Sequence, residues 1–162
     1  MNLKPLSESA IPRAVELAER YRLLNEPEQA ASICHDVLAT DPDNPEALRS
    51  LLLAITEQFH ARHGSKFEEA LAVAQKMSTE YERTYYAGVA RERWARAKLQ
   101  QGAHHSMVGD WLRRAMEDYE RAEGLSGPGN EDAILRWNAC ARLLSKVPGL
   151  NADGEQEPLY GD

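Results

Sequence analysis

Apolar residues along this chain recur at spacings of three and four. Ala14, Leu17, Ala18, Tyr21 and Leu24 fall on one side of a helix, with Glu16, Glu19, Arg20 and Arg22 largely elsewhere. Leu48, Leu51, Leu52 and Ile55 repeat the pattern. No stretch alternates apolar and polar residues with β-branched enrichment, so a sheet is not expected. Stop and start signals divide the helical text into about seven pieces. Ser9 is placed to cap a first helix with Pro12 in its first turn, and Asn25-Glu26-Pro27 ends that helix and begins the next. In Asp41-Pro42-Asp43-Asn44-Pro45, Asn44 serves as N-cap and Pro45 as the first helical residue. Ser65-Lys66-Phe67-Glu68 reads as a capping box that opens a fourth helix, and a fifth is expected over residues 82–101. Gly102-Ala103-His104-His105-Ser106 and Ser126-Gly127-Pro128-Gly129-Asn130 are the remaining breaks. The organisation expected is a lead-in over residues 1–9, one helical domain over 10–147, and a flexible acidic tail over 148–162.

Short helices joined by short turns invite a search for a fixed period. Ala14, Leu17, Ala18 and Tyr21 align with Leu48, Leu51, Leu52 and Ile55 at a shift of 34 residues. Ala30, Cys34 and Pro42 then supply a small residue, a larger one four later, and a turn proline. This unit resembles the tetratricopeptide repeat, with Ala14 and Ala18 replacing the family's Trp and helix-A Gly. A second unit has Leu48, Leu51, Leu52 and Ile55, then Gly64, Phe67, Ala70 and Ala74, with about six residues inserted. A third has Tyr86, Val89, Ala90 and Arg93, followed by Ala115, Tyr119 and Pro128, and a closing half-unit has Trp137, Cys140, Ala141 and Leu144. The resemblance implies an all-α fold: an α-solenoid of about seven antiparallel helices wound as a right-handed superhelix, its last helix covering the final apolar face.

The same resemblance implies a function. In the family the first helix of each pair lines a concave groove that holds a peptide or a partner protein. The matching positions are Val15 and Glu19, Arg49 and Leu53, Ala87 and Arg91, and Asn138 and Arg142. Arg49, Arg91, Asn138 and Arg142 are therefore the expected peptide contacts, with Leu53 and Trp94 as apolar lining. Guanidinium pairs bidentately with carboxylate, which suits an acidic or carboxylate-terminated segment. The family's Lys/Asn carboxylate clamp is not reproduced. The tail residues 155–162 end in an acidic stretch with Leu159 and Tyr160, an internal candidate for the same groove.

Composition changes this picture only at its edges. Of the 162 residues, 43% are hydrophobic and 28% charged, a globular balance. The net charge is −7, but residues 83–121 hold 8 Lys/Arg against 5 Asp/Glu, whereas residues 1–82 hold 8 against 14. An acidic chain repels phosphate backbones, so nucleic acid is not the expected ligand. Tyr86, Ala90, Trp94 and Ala97 read as a core stripe beside Arg91, Arg93, Arg96 and Lys98 rather than a base-stacking platform, and Trp111, Leu112, Ala115, Met116 and Tyr119 read likewise. No apolar run approaches the ~20 residues of a membrane span, and residues 1–9 lack a secretory pattern, so a cytoplasmic setting is expected. Cys34 and Cys140 sit in apolar repeat slots, as small hydrophobes. His60, His63, His104 and His105 show no zinc spacing, and Asp41 to Asn44 lacks the Gly and Glu of a calcium loop. No cofactor, metal or catalytic constellation is expected. The resulting expectation is a non-enzymatic adaptor. A secretion-type chaperone, a histidine-dependent metal hydrolase and a self-associating module, such as a homodimer, are the competing readings.

Overall fold

A computed structural model describes residues 1–61 and 66–151. After a 3-10 turn over Glu8–Ala10, seven α-helices follow: α1 (Ile11–Leu23), α2 (Pro27–Thr40), α3 (Pro45–Thr56), α4 (Lys66–Gln75), α5 (Glu80–Gln100), α6 (His105–Leu125) and α7 (Asp132–Lys146). The fold is all-α, with no strand among the described residues. Each helix packs on its neighbour in sequence, while α1 also packs on α3 and α3 on α5. That is the neighbour pattern of stacked helical hairpins, in which alternate helices lie side by side.

Local chemistry accounts for several boundaries. Asn44 Oδ1 accepts from the Ala47 amide at 2.9 Å and Pro45 opens α3, as the spacing predicts. Thr79 accepts from the Glu82 amide at 3.1 Å, which starts α5 at Glu80, two residues before the expected point. Ser9 does not cap α1: it lies in the 3-10 turn, its hydroxyl meets that of Ser7, and Ala10 precedes the helix. Leu24 is exposed rather than on the apolar face, because the helix ends before it and Asn25 takes a positive φ of 60°. The Ser65 capping box and Gly64 lie outside the described residues.

The core is built from the inward faces of the helices. Ala18, Ala30, Cys34, Leu48, Leu51, Leu52, Ile55, Ala70, Ala74, Val89, Ala90, Ala115, Tyr119 and Cys140 are all buried. α1 and α3 begin 34 residues apart, and Ala14 and Ala18 are buried where Leu48 and Leu52 are, whereas Leu17 and Tyr21 are only half-buried where Leu51 and Ile55 are buried. α5 and α6 depart from that size, at 21 residues each, and pack along their lengths. Gly88 permits the approach: a Cβ there would lie 2.8 Å from Tyr119 Cε1. Beyond α7 the chain turns back over α6. Leu150 is buried, its carbonyl accepts from Arg113 at 3.3 Å, and Pro148 O meets His105 Nδ1 at 2.8 Å. Gly109 makes room for this crossing, since a Cβ there would clash with Leu150 O.

Candidate functional site

Side-by-side packing of α1, α3 and α5 leaves a depression of about 350 Å³ between them, within the usual range of ligand pockets, about 300–1,000 Å³. Val15, Glu19 and Arg22 come from α1, Glu46, Arg49, Ser50 and Leu53 from α3, and Tyr86 from α5. Its walls are mixed. Val15, Leu53 and Tyr86 offer apolar surface, while carboxylates and guanidinium groups rim it. Burial pushes the Tyr86 hydroxyl up from its ordinary value, against the pull of Arg49, so the phenol is a neutral group at physiological pH.

The arginines here enter the site already engaged. Arg22 donates to Glu57 Oε1 from Nε at 3.1 Å and from Nη2 at 2.7 Å. Arg93 on α5 reaches the same oxygen at 3.7 Å and donates to Thr56 Oγ1 at 2.8 Å. Burial, with the like charge of Arg136 nearby, lowers Arg93 from the ordinary guanidinium value. Arg49 pairs with Glu82 at 3.0 Å. Next along α5, Glu92 is only 2% exposed and draws three elements together. Its Oε1 accepts from Arg96 at 2.9 Å, and its Oε2 from Tyr119 at 2.7 Å and from Arg136 of α7 at 3.4 Å. These ion pairs tie α1, α3, α5, α6 and α7 in a chain of contacts. They set register more than they add stability, since desolvation offsets much of a buried pair's attraction.

The six residues expected to share one groove are divided among several places. Arg49 and Leu53 line the depression just described, beside Val15 and Glu19. Arg91 does not join them. It pairs with Asp118 of α6, and with Ala87 it lines a separate depression of about 340 Å³ among Gln75, Arg83, Asp118 and Arg121. Burial pushes the Asp118 carboxyl up from its ordinary value, against the pull of Arg91 and Arg121. Trp94 lines neither depression: it stacks on Phe67 at 5.0 Å between ring centres and meets Phe59 and Trp111 edge-on at 5.3 and 6.1 Å. Asn138, half-buried, and Arg142, exposed, both belong to α7 and are not among the residues lining either depression.

For the residues of α5 the cause is rotation about the helix axis, while Asn138 and Arg142 lie on α7, which packs on α6. At about 100° per residue, an offset of one position swings a side chain to another face. Tyr86, rather than Ala87, points at α3. Arg93, rather than Arg91, reaches α3 and its end. The positions expected from the resemblance did not include Arg22 and Tyr86, which line the depression. For Tyr86 a signal was present: it lies seven residues, about two helical turns, before Arg93, on the side of α5 that faces α3.

His60 lies in the turn after α3, His104 caps α6 through the Ser106 amide at 3.3 Å, and His105 is bonded to Pro148 O. His63 and the tail segment 155–162 lie outside the described residues. Among those described, no group of three or more His, Cys, Asp or Glu is placed to hold a metal ion, and no helix is long and apolar enough to cross a membrane. Compared with protein-family models, with curated proteins and with solved structures, the chain matches none.

Proposed function

We propose that this chain is a non-enzymatic, tetratricopeptide-like protein-binding adaptor, and that it receives a segment of a partner polypeptide on the face formed by α1, α3 and α5. It works in the cytoplasm, where its two buried thiols stay reduced. The observation that carries this reading is the depression itself: side chains from three alternate helices converge on one cleft that mixes Arg, Tyr and aliphatic groups. Arg and Tyr are over-represented where interfaces concentrate their binding energy. The 34-residue spacing of α1 and α3 supports it further, because stacked hairpins of that size present such clefts to extended segments.

The test is a plug. A displayed peptide library is panned on the full chain, and selected peptides are measured by fluorescence polarisation on wild type, Ser50→Trp and Arg114→Glu. Ser50 lines the depression and Arg114 is exposed on α6. Filling the cleft should weaken binding by about tenfold or more, as loss of a central contact does, while the α6 variant should bind as wild type. Equal affinity for Ser50→Trp, with an unchanged circular dichroism spectrum, would remove this face from consideration.

A further inference from the structure

Which chemistry this cleft accepts follows from which of its charges are already satisfied. Arg22 is held by Glu57 and Arg49 by Glu82, and Glu82 itself accepts from Ser78 and Thr79, both at 3.3 Å. Glu19 and Glu46 differ. Both are exposed, both line the cleft, and neither has an ion-pair partner among the described residues. An incoming ligand therefore meets two neutralised arginines and two unopposed carboxylates. Resting on the partner-binding reading above, we propose that the cleft takes a cationic side chain, a lysine or arginine flanked by an aliphatic residue, from a partner polypeptide.

Three features fit that occupant. The alkyl stem of Lys or Arg packs along apolar surface while its head stays near water, and Val15 and Leu53 line the same cleft as the two acids. Tyr86 also lines the cleft, and an aromatic ring attracts a nearby cation through its quadrupole. The N-terminal half of the chain is acidic, with 8 Lys/Arg against 14 Asp/Glu over residues 1–82, so its field draws cations in. An acidic segment fares worse. It would meet arginines whose charge Glu57 and Glu82 already offset while approaching Glu19 and Glu46, a like-charge arrangement that selects against it.

The experiment pans three displayed dodecapeptide pools on the full chain, with central positions restricted to Lys/Arg, to Asp/Glu or to neutral residues. Binders blocked by Ser50→Trp are then titrated on wild type, on Glu19→Gln/Glu46→Gln and on Arg142→Gln. The cationic pool should supply those binders, and the double variant should weaken them about fivefold or more, with the loss shrinking as salt is raised. Arg142→Gln should change nothing. Plug-sensitive binders drawn from the acidic pool, or indifferent to Glu19→Gln/Glu46→Gln, would overturn this inference and leave the partner-binding face standing. No plug-sensitive binder from any pool would overturn both. Spermine that competes at the peptide's own concentration would overturn the polypeptide source.

Discussion

The thiols of Cys34 and Cys140 show what burial does to a single side chain. Both are free and buried at apolar repeat positions, and burial pushes them up to about 11 and about 12 from an ordinary value of 9.0. A thiolate is the reactive form, so neither residue is set up as a nucleophile. The sign of the linked stability change is definite. As pH rises past 9, the unfolded chain loses these protons while the folded chain keeps them, so the unfolded state binds fewer protons and stability falls. Tyr81, Tyr86 and Tyr119 are raised as well and act in the same direction at higher pH. Urea midpoints measured from pH 7 to 10 should be flat to about pH 8.5 and then decline, and Cys34→Ala/Cys140→Ala should flatten the first part of the decline. A midpoint constant through pH 10 would contradict the burial of both thiols. These assignments were legible from the chain alone, because a Cys at a helix's inward spacing has nowhere to go but the core.

Helix pairs carry the next level of constraint, and α5 with α6 is the most exacting of them. Gly88 allows the crossing, and the Tyr119 ring opposite cannot swing away because its hydroxyl is held by Glu92 at 2.7 Å. Ala at position 88 would gain about 0.5–1 kcal/mol in helix propensity. Overpacking against a fixed ring costs about 1–3 kcal/mol, so Gly88→Ala should be a net destabilisation near 1 kcal/mol. Chemical denaturation measures it, and a Gly88→Ala protein more stable than wild type would mean that the ring yields. Helix limits at Asn44-Pro45 and Asn25-Glu26-Pro27 were readable, since caps and prolines act within one turn. The start of α1 was not: Ser9 is a good cap by type, but the 3-10 turn over Glu8–Ala10 uses its position differently.

Across the whole molecule, the apolar residues divide unevenly. Ala14 and Val15 of α1 pack in a small cluster with Val37 and Ala47, while the main core runs from Ala18 through α5 and α6 to Leu150. In a stacked array stability is set by neighbour contacts, and α1 has neighbours on one side only. Hydrogen exchange should show amides of residues 11–23 opening with less free energy than those at the centre of α5 and α6, a gap of about 1–3 kcal/mol. Uniform protection from α1 to α6 would instead describe a single cooperative block.

Sequence by itself determined the all-α class, the number of helices, most of their ends and most core positions, because helical periodicity, caps and prolines are local properties of the chain. Tertiary structure alone decided which charges remain open. Arg49 looks free in the sequence and is held by Glu82, 33 residues away, Arg22 by Glu57, and Glu92 by side chains from α6 and α7. Rotation of α5 within the stack then placed Tyr86 and Arg93, not Arg91 or Trp94, towards α3. The physical reason is that a helix's outward chemistry depends on its phase against neighbours distant in sequence, whereas the periodicity that announces the helix is local and is the same at any phase.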